Sequence, residues 1–267
     1  GFREAPGMEP WGKFALFVLN LDIDYASNAA FSHAWSLCVE EHFYLLFPAL
    51  ALLLARKPSA TKFWIACIVV LLGGIALRTG AWLHFDALQP QRAWFVEDIY
   101  YPTWNRLDGL VMLATWQAYR PDSWARMAKH ANVAALLGVA VLALAFWLFR
   151  ERTGLLGNSI GWPVLSLALA LLVFAGAQPH GLLGKRALPG AAWIAAISFS
   201  LYLVHKPMYG VVQSRLGEWL EGRGIVAYAV YGGASRLAAA LLYYAVEKPF
   251  LRLRGRVLSR DRVAPAA

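Results

Sequence analysis

Cysteine is nearly absent: the 267 residues contain two, Cys38 and Cys67. Neither stands at a metal-ligand spacing, and two thiols inside apolar segments make no disulfide framework. Both read as small core hydrophobes. Charge is also scarce, at 15% of residues, and acids are scarcer than bases, 16 against 25. The resulting net charge of +9 does not indicate a nucleic-acid binder, because the basic residues sit in short loops and in the tail and form no stripe along one face. No phosphate loop, dinucleotide fingerprint or metal spacing is visible, so no metal is expected. No segment alternates as a strand would, and no internal repeat stands out.

What the chain does have is hydrocarbon. Hydrophobic residues make up 59%, where a soluble domain has about 45–50%, and the mean hydropathy is +0.48. Twelve Trp and eleven Tyr suit membrane interfaces. A span needs about 20 mainly apolar residues, and seven segments qualify: 35–55, 62–83, 101–120, 133–149, 162–178, 190–210 and 225–246. A shorter apolar piece at 12–21 reads as the end of an eighth. The fold expected is an all-α, polytopic transmembrane helix bundle of about 7–8 spans, forming one integral membrane domain over 1–254. A basic, disordered tail is expected over 255–267. Gly1 to Pro10 reads as a mid-protein loop, which implies that an N-terminal portion precedes it.

Loop charge sets the expected orientation. Arg56, Lys57 and Lys62, then Arg120, Arg126 and Lys129, then Lys185 and Arg186, then the basic tail fall on one side. By the positive-inside rule that side is cytoplasmic. Aromatic residues Trp11, Trp94, Phe95, Tyr100, Tyr101 and Trp104 read as an interface belt.

This topology brings titratable residues to one layer. Glu40 lies roughly 7 Å below the outer start of its helix, at 1.5 Å per residue. Asn105, Arg106 and Asp108 lie at similar depth, and His205 and Lys206 approach the same face. Ionisable residues in spans are functional candidates by default. Ser36, Glu40 and Tyr44 share one helix face, a polar stripe expected to look into protein. Glu40 is read as a catalytic base or its orienter, with Arg106 as its partner; the plain alternative is a structural pair tying two helices. Glu41 points about 100° away from Glu40. His33 stands two turns up from Glu40 as a substrate contact or a wet interfacial residue. Ser36 doubles as a helix-cap candidate. Tyr202 and His205 share a face with Ser198, and Pro207 is expected to break or kink the helix just past them. Arg78 and Arg236 lie within spans, the latter near mid-membrane. Glu247, beside Lys248 and Pro249, reads mainly as a helix stop.

His33-x-Trp35-Ser36-Leu37-x-Val39-Glu40-Glu41-x-Phe43-Tyr44-Leu45 closely resembles the signature of the acyltransferase-3 family of integral membrane O-acyltransferases. In the same order, Asn105-Arg106-Leu107-Asp108-Gly109-Leu110, Ser198-Phe199-Ser200-Leu201-Tyr202-Leu203-Val204-His205-Lys206-Pro207 and Glu247-Lys248-Pro249-Phe250 are similar to its later segments. The resemblance covers about residues 12 to 254. It implies about ten membrane helices and transfer of an acyl group, usually acetyl, from cytoplasmic acyl-CoA to a hydroxyl of a carbohydrate or lipid-linked glycan. Acyl-CoA would be a co-substrate, with no bound cofactor. The chain departs from the pattern in lacking the family's early helix with Arg and a catalytic His, and its early Arg-x-x-Arg. His42 also replaces the commoner Gln, and Leu113 stands where a small residue is expected.

Placed on the motifs, the catalytic candidates are Glu40, Arg106 and His205. The substrate-binding candidates are His33, Trp35, Ser36, Glu41, Tyr44 and Tyr202. The partners expected are acyl-CoA, a carbohydrate or glycolipid acceptor and the lipid bilayer, and not nucleic acid. The location expected is a bacterial inner membrane with a cytoplasmic C-terminus. The rival readings are a polytopic transporter and a truncated, catalytically inactive family member. Intramembrane charge suits a transporter, but no paired halves are visible.

Overall fold

The computed structural model describes residues 7–56, 59–106, 127–185 and 189–261, and every regular element among them is helical. The chain divides into two compact units, Gly1–Arg186 and Ala187–Ala267, where the sequence predicted one domain over 1–254.

In the first unit, α1 (Trp11–Ala15) is only five residues long. The piece at 12–21 therefore does not form the end of a span. Lys13 pairs with Glu9 at 2.9 Å and with Asp22 at 3.1 Å, which folds the chain back, and Phe17 takes the left-handed turn with φ 54°. A 3-10 turn, Ser32–Ala34, leads into α2 (Trp35–Arg56). The next helix, α3 (Ala60–Leu88), is capped by Ser59, whose hydroxyl accepts from the Lys62 N–H at 3.5 Å, satisfying one orphan donor of the first turn. It is followed by a π segment, Phe95–Tyr100, and a 3-10 turn, Thr103–Asn105.

Helices α4 (Ala131–Leu148) and α5 (Trp162–Gly176) then pair through Ala134, Ala135, Phe174 and Ala175. A Cβ on Gly138 would stand 2.9 Å from the Leu172 side chain, so the two backbones approach as closely as small residues permit. On the outer faces Leu136, Val139, Phe146 and Val173 are exposed. Helices apolar both inside and outside suit a hydrocarbon solvent.

The second unit holds α6 (Ala191–Leu220), α7 (Gly224–Leu242), a π segment over Tyr243–Glu247, and α8 (Lys248–Asp261). Gly222, at φ 73°, makes the left-handed turn between α6 and α7 that favours glycine. Val212, Leu220 and Tyr231 form the buried seam. Tyr209 stacks on Tyr231 with ring centroids 4.1 Å apart, and the Tyr231 hydroxyl donates to Gln213.

Two expectations fail in this unit. The helix runs unbroken through Pro207 to Leu220, so the break does not occur: a proline forfeits one backbone hydrogen bond, a loss that a helix of 30 residues survives. The tail expected to be disordered from 255 continues as helix to Asp261, where Arg256, Leu258 and Arg260 are good helix formers.

Among the described residues four segments are long and apolar enough to cross a membrane: Trp64–Leu88, Ala128–Leu148, Gly157–Gly176 and Gly224–Arg256. The chain reads as a polytopic helical membrane protein. The span expected at 101–120 falls largely outside the described residues; its first part is a turn, not helix.

Candidate active site

In the first unit the rim beyond α3 is built by side chains bonding backbone. Asn105 Nδ2 donates to the carbonyls of Asp98 (3.3 Å) and Ile99 (3.1 Å). Arg106 Nε donates to the Tyr100 carbonyl at 2.8 Å. The fully buried Arg78 donates to the carbonyls of Asn105 (2.9 Å) and Ser159 (3.2 Å), tying α3 to the rim and to the π segment Gly157–Gly161 that precedes α5. A buried guanidinium needs such acceptors to offset its desolvation.

Arg106 then lies in an aromatic box. Its Cζ is 3.7 Å from the Trp162 ring centroid, 4.3 Å from Tyr100 and 5.5 Å from Trp35. Trp35 in turn stacks on Tyr101 at 5.0 Å. The structure thus joins Arg106 to Trp35, not to Glu40. The polar partner of Glu40 is Tyr44, whose hydroxyl donates to it at 2.6 Å.

Glu40, Glu41 and Tyr44 are exposed and Ser36 is half-buried, while Cys38 and Val39 form the buried face of α2. The stripe expected to look into protein therefore faces outward, because the apolar pair has the rim to pack on. His33, read as either a substrate contact or a wet interfacial residue, is only 5% exposed and stacks on Phe31 at 5.7 Å. Asp108 and Leu113 lie outside the described residues.

The second unit brings its candidates together. Ser198, Tyr202 and His205 of α6 line a cleft of about 360 Å³ with Gly232, Ser235 and Arg236 of α7. His205 Nδ1–H donates to the Tyr202 carbonyl at 2.6 Å. A carbonyl only accepts, so Nδ1 carries the proton of that bond and Nε2 is the ring's other nitrogen. Arg236 lies 12 residues into α7, about 18 Å along it. It is exposed and makes no ion pair among the described residues. A guanidinium within an apolar helix is costly unless it meets polar groups or water, and Arg236 lines the cleft with Ser198, Tyr202, His205 and Ser235. Glu247, read from sequence as a helix stop, instead accepts from the buried Ser200 hydroxyl at 2.6 Å, and the helix proceeds through Pro249.

A family described as "Acyltransferase domain", of the acyltransferase-3 type, matches residues 8–244. The chain belongs to this acyltransferase family. Among its relatives is the O-acetyltransferase OatA of Staphylococcus aureus. The versions from strains NCTC 8325 / PS 47, COL and MRSA252 are each 25% identical over 246 residues, which is 90% of this chain and 39% of theirs. The chain thus spans about two-fifths of the length of these curated relatives. No solved structure matches.

For an acyltransferase-3 domain, the sequence missed three features of the site. His42 Nδ1 lies 2.6 Å from the Thr103 hydroxyl, which also accepts from Asn20 Nδ2 at 2.7 Å. The lone Asn20 within an apolar run was the available signal for that chain of bonds. The Ser200–Glu247 bond had a signal only in the Glu247 motif, and the company of Arg236 had none. Among the described residues no group of three or more His, Cys, Asp or Glu is gathered as a metal would require.

Proposed function

We propose that this chain acts as a membrane-embedded O-acyltransferase, moving an acetyl group from acyl-CoA to a hydroxyl of a cell-surface carbohydrate or lipid-linked glycan. One observation carries the reading. In an acyltransferase-family chain, a histidine whose Nδ1 bonds the Tyr202 carbonyl lines a cleft that also holds an intramembrane arginine.

In this reading His205 Nε2 takes the acceptor hydroxyl proton. The acceptor oxygen attacks the thioester carbonyl, the C–S bond breaks, and coenzyme A leaves as its thiolate to recover a proton. General-base assistance of this kind contributes typically about 10²–10⁴-fold. A cation beside the carbonyl stabilises the oxyanion, and Arg236 supplies one. Tyr202 orients His205. On the first unit, the exposed Glu40, Glu41 and Tyr44 and the half-buried Ser36 offer polar groups for carbohydrate hydroxyls at the mouth of α2. Arg106, Trp35 and His33 hold the shape of that mouth. The full reading has seven to eight spans in a bacterial inner membrane, donor entry from the cytoplasm and a cytoplasmic C-terminus.

The test is transfer from labelled acetyl-CoA to surface glycan in membranes carrying the parent, Glu40→Gln or His205→Gln at equal protein amounts. His205→Gln is expected to lose roughly 10²–10⁴-fold in rate, and Glu40→Gln to raise the acceptor KM. Parent-level transfer in both variants sinks the reading.

A further inference from the structure

The segment Gly224–Arg256 is 33 residues of nearly continuous helix, about 50 Å long at 1.5 Å per residue. The bilayer hydrocarbon is about 30 Å thick, so roughly 20 Å of this rod stands beyond it. That end carries Lys248, Arg252, Arg254 and Arg256, the three arginines exposed. Lys248 is held over the Tyr244 ring, 4.8 Å from its centroid.

The spacing and the facing of these cations both matter. From Arg236 to Lys248 is 12 residues, about 18 Å, and to Arg252 about 24 Å. In an acyl-CoA, about thirteen bonds separate the thioester sulfur from the nearer phosphorus; at three bonds per extended residue that is roughly 15 Å. A thioester beside Arg236 and His205 therefore sets the diphosphate at the level of Lys248 and Arg252.

On an uninterrupted α-helix Lys248 would lie about 120° around from Arg236, at 100° per residue. The π segment Tyr243–Glu247 acts as one inserted residue. With that step removed, Lys248 falls about 20° from Arg236, and Arg252 about 60°. The irregular turn thus brings the basic row onto the cleft face. Ser200 pins this segment to α6 through Glu247.

We infer that the acyl donor lies along α7 and α8, its thioester in the cleft of His205 and Arg236 and its phosphates on the row Lys248, Arg252 and Arg256. This rests on the acyl-CoA chemistry proposed above. Arginine and lysine are the phosphate binders this row needs. The adenosine end then projects beyond the membrane, where the row is exposed.

The test is equilibrium binding of coenzyme A and of S-acetylpantetheine, which lacks the diphosphate, to the whole protein in nanodiscs of zwitterionic lipid. The double variant Lys248→Gln/Arg252→Gln is expected to weaken coenzyme A by at least about tenfold and S-acetylpantetheine by less than about twofold. Arg236→Gln is expected to weaken both. Deleting Ala245 turns the π segment into regular helix and leaves Lys248 about 20° from Arg236, so it should leave coenzyme A binding within about twofold of the parent. The inference is overturned if the double variant binds coenzyme A like its parent, if both ligands weaken together, or if the parent binds no coenzyme A. Binding without turnover separates the two ideas. Selective loss without any glycan acetylation leaves the donor track standing and removes the transfer reading. Transfer with binding indifferent to the row does the reverse.

Discussion

A guanidinium wedged between three rings is held by its shape as much as by its charge. Arg106 presents a flat, weakly hydrated face to Trp162 and Tyr100 while its Nε bonds the Tyr100 carbonyl. Lysine keeps the charge but cannot stack as a plane or donate in the same fork. Arg106→Lys is therefore expected to cost about 1–2 kcal/mol, read as a lower thermal midpoint in detergent, with Trp emission reporting the loosened box. An unchanged midpoint would mean that the stacking contributes nothing. The same residue shows why sequence reading stops where it does. An arginine expected at the depth of Glu40 invites an ion pair, yet Glu40 has Tyr44 as its polar partner and Arg106 is half-buried. The rings that hold it come from positions 35, 100 and 162, which no local pattern connects. His42 and Thr103, 61 positions apart, escaped for the same reason. Tyr202 and His205 were legible because three residues on a helix always share a face.

Helices as elements follow hydropathy closely. The stretches 133–149 and 162–178 fold as α4 and α5 within a few residues of their predicted bounds. The rim at 89–106 was misread, because its π and 3-10 turns are set by Asn105 and Arg106 bonding carbonyls, and such bonds leave no periodicity. Between helices, the decisive residue is the smallest. Gly138→Leu would drive side-chain atoms into Leu172, where a Cβ alone already stands at 2.9 Å. Overpacking of this kind costs typically about 1–3 kcal/mol. Gly233 of α7 meets nothing within 4 Å, and Gly233→Ala is expected to gain up to about 1 kcal/mol by helix propensity. The fraction of protein staying monodisperse after heating in detergent distinguishes the two substitutions. Equal behaviour would show that α4 and α5 tolerate separation at Gly138.

At the scale of the whole molecule the charges are segregated. The tail is a row of bases. The segment before α2 is closed by a clasp of mixed sign. There, burial alone would raise the carboxyl of Glu9, but hydrogen bonds from the Lys13 ammonium, the Asp24 N–H and Asn28 outweigh it and hold the pKa below its ordinary 4.5. For Lys13, burial pulls downward and is outweighed by Glu9 and Asp22, leaving its pKa above 10.5. A depressed carboxyl contributes stability above its unfolded pKa and loses it as pH falls through the folded value. A raised amine contributes fully below its unfolded pKa and loses it as pH rises through the folded one. The clasp should therefore be intact between about pH 4.5 and 10.5, loosening below and above that window. Hydrogen exchange of residues 7–31, corrected for intrinsic rate, should be flat from pH 5 to 9 and quicken under about pH 4.5, with Glu9→Gln fast throughout. Protection that falls steadily between pH 5 and 9 would show that some other titration governs this segment.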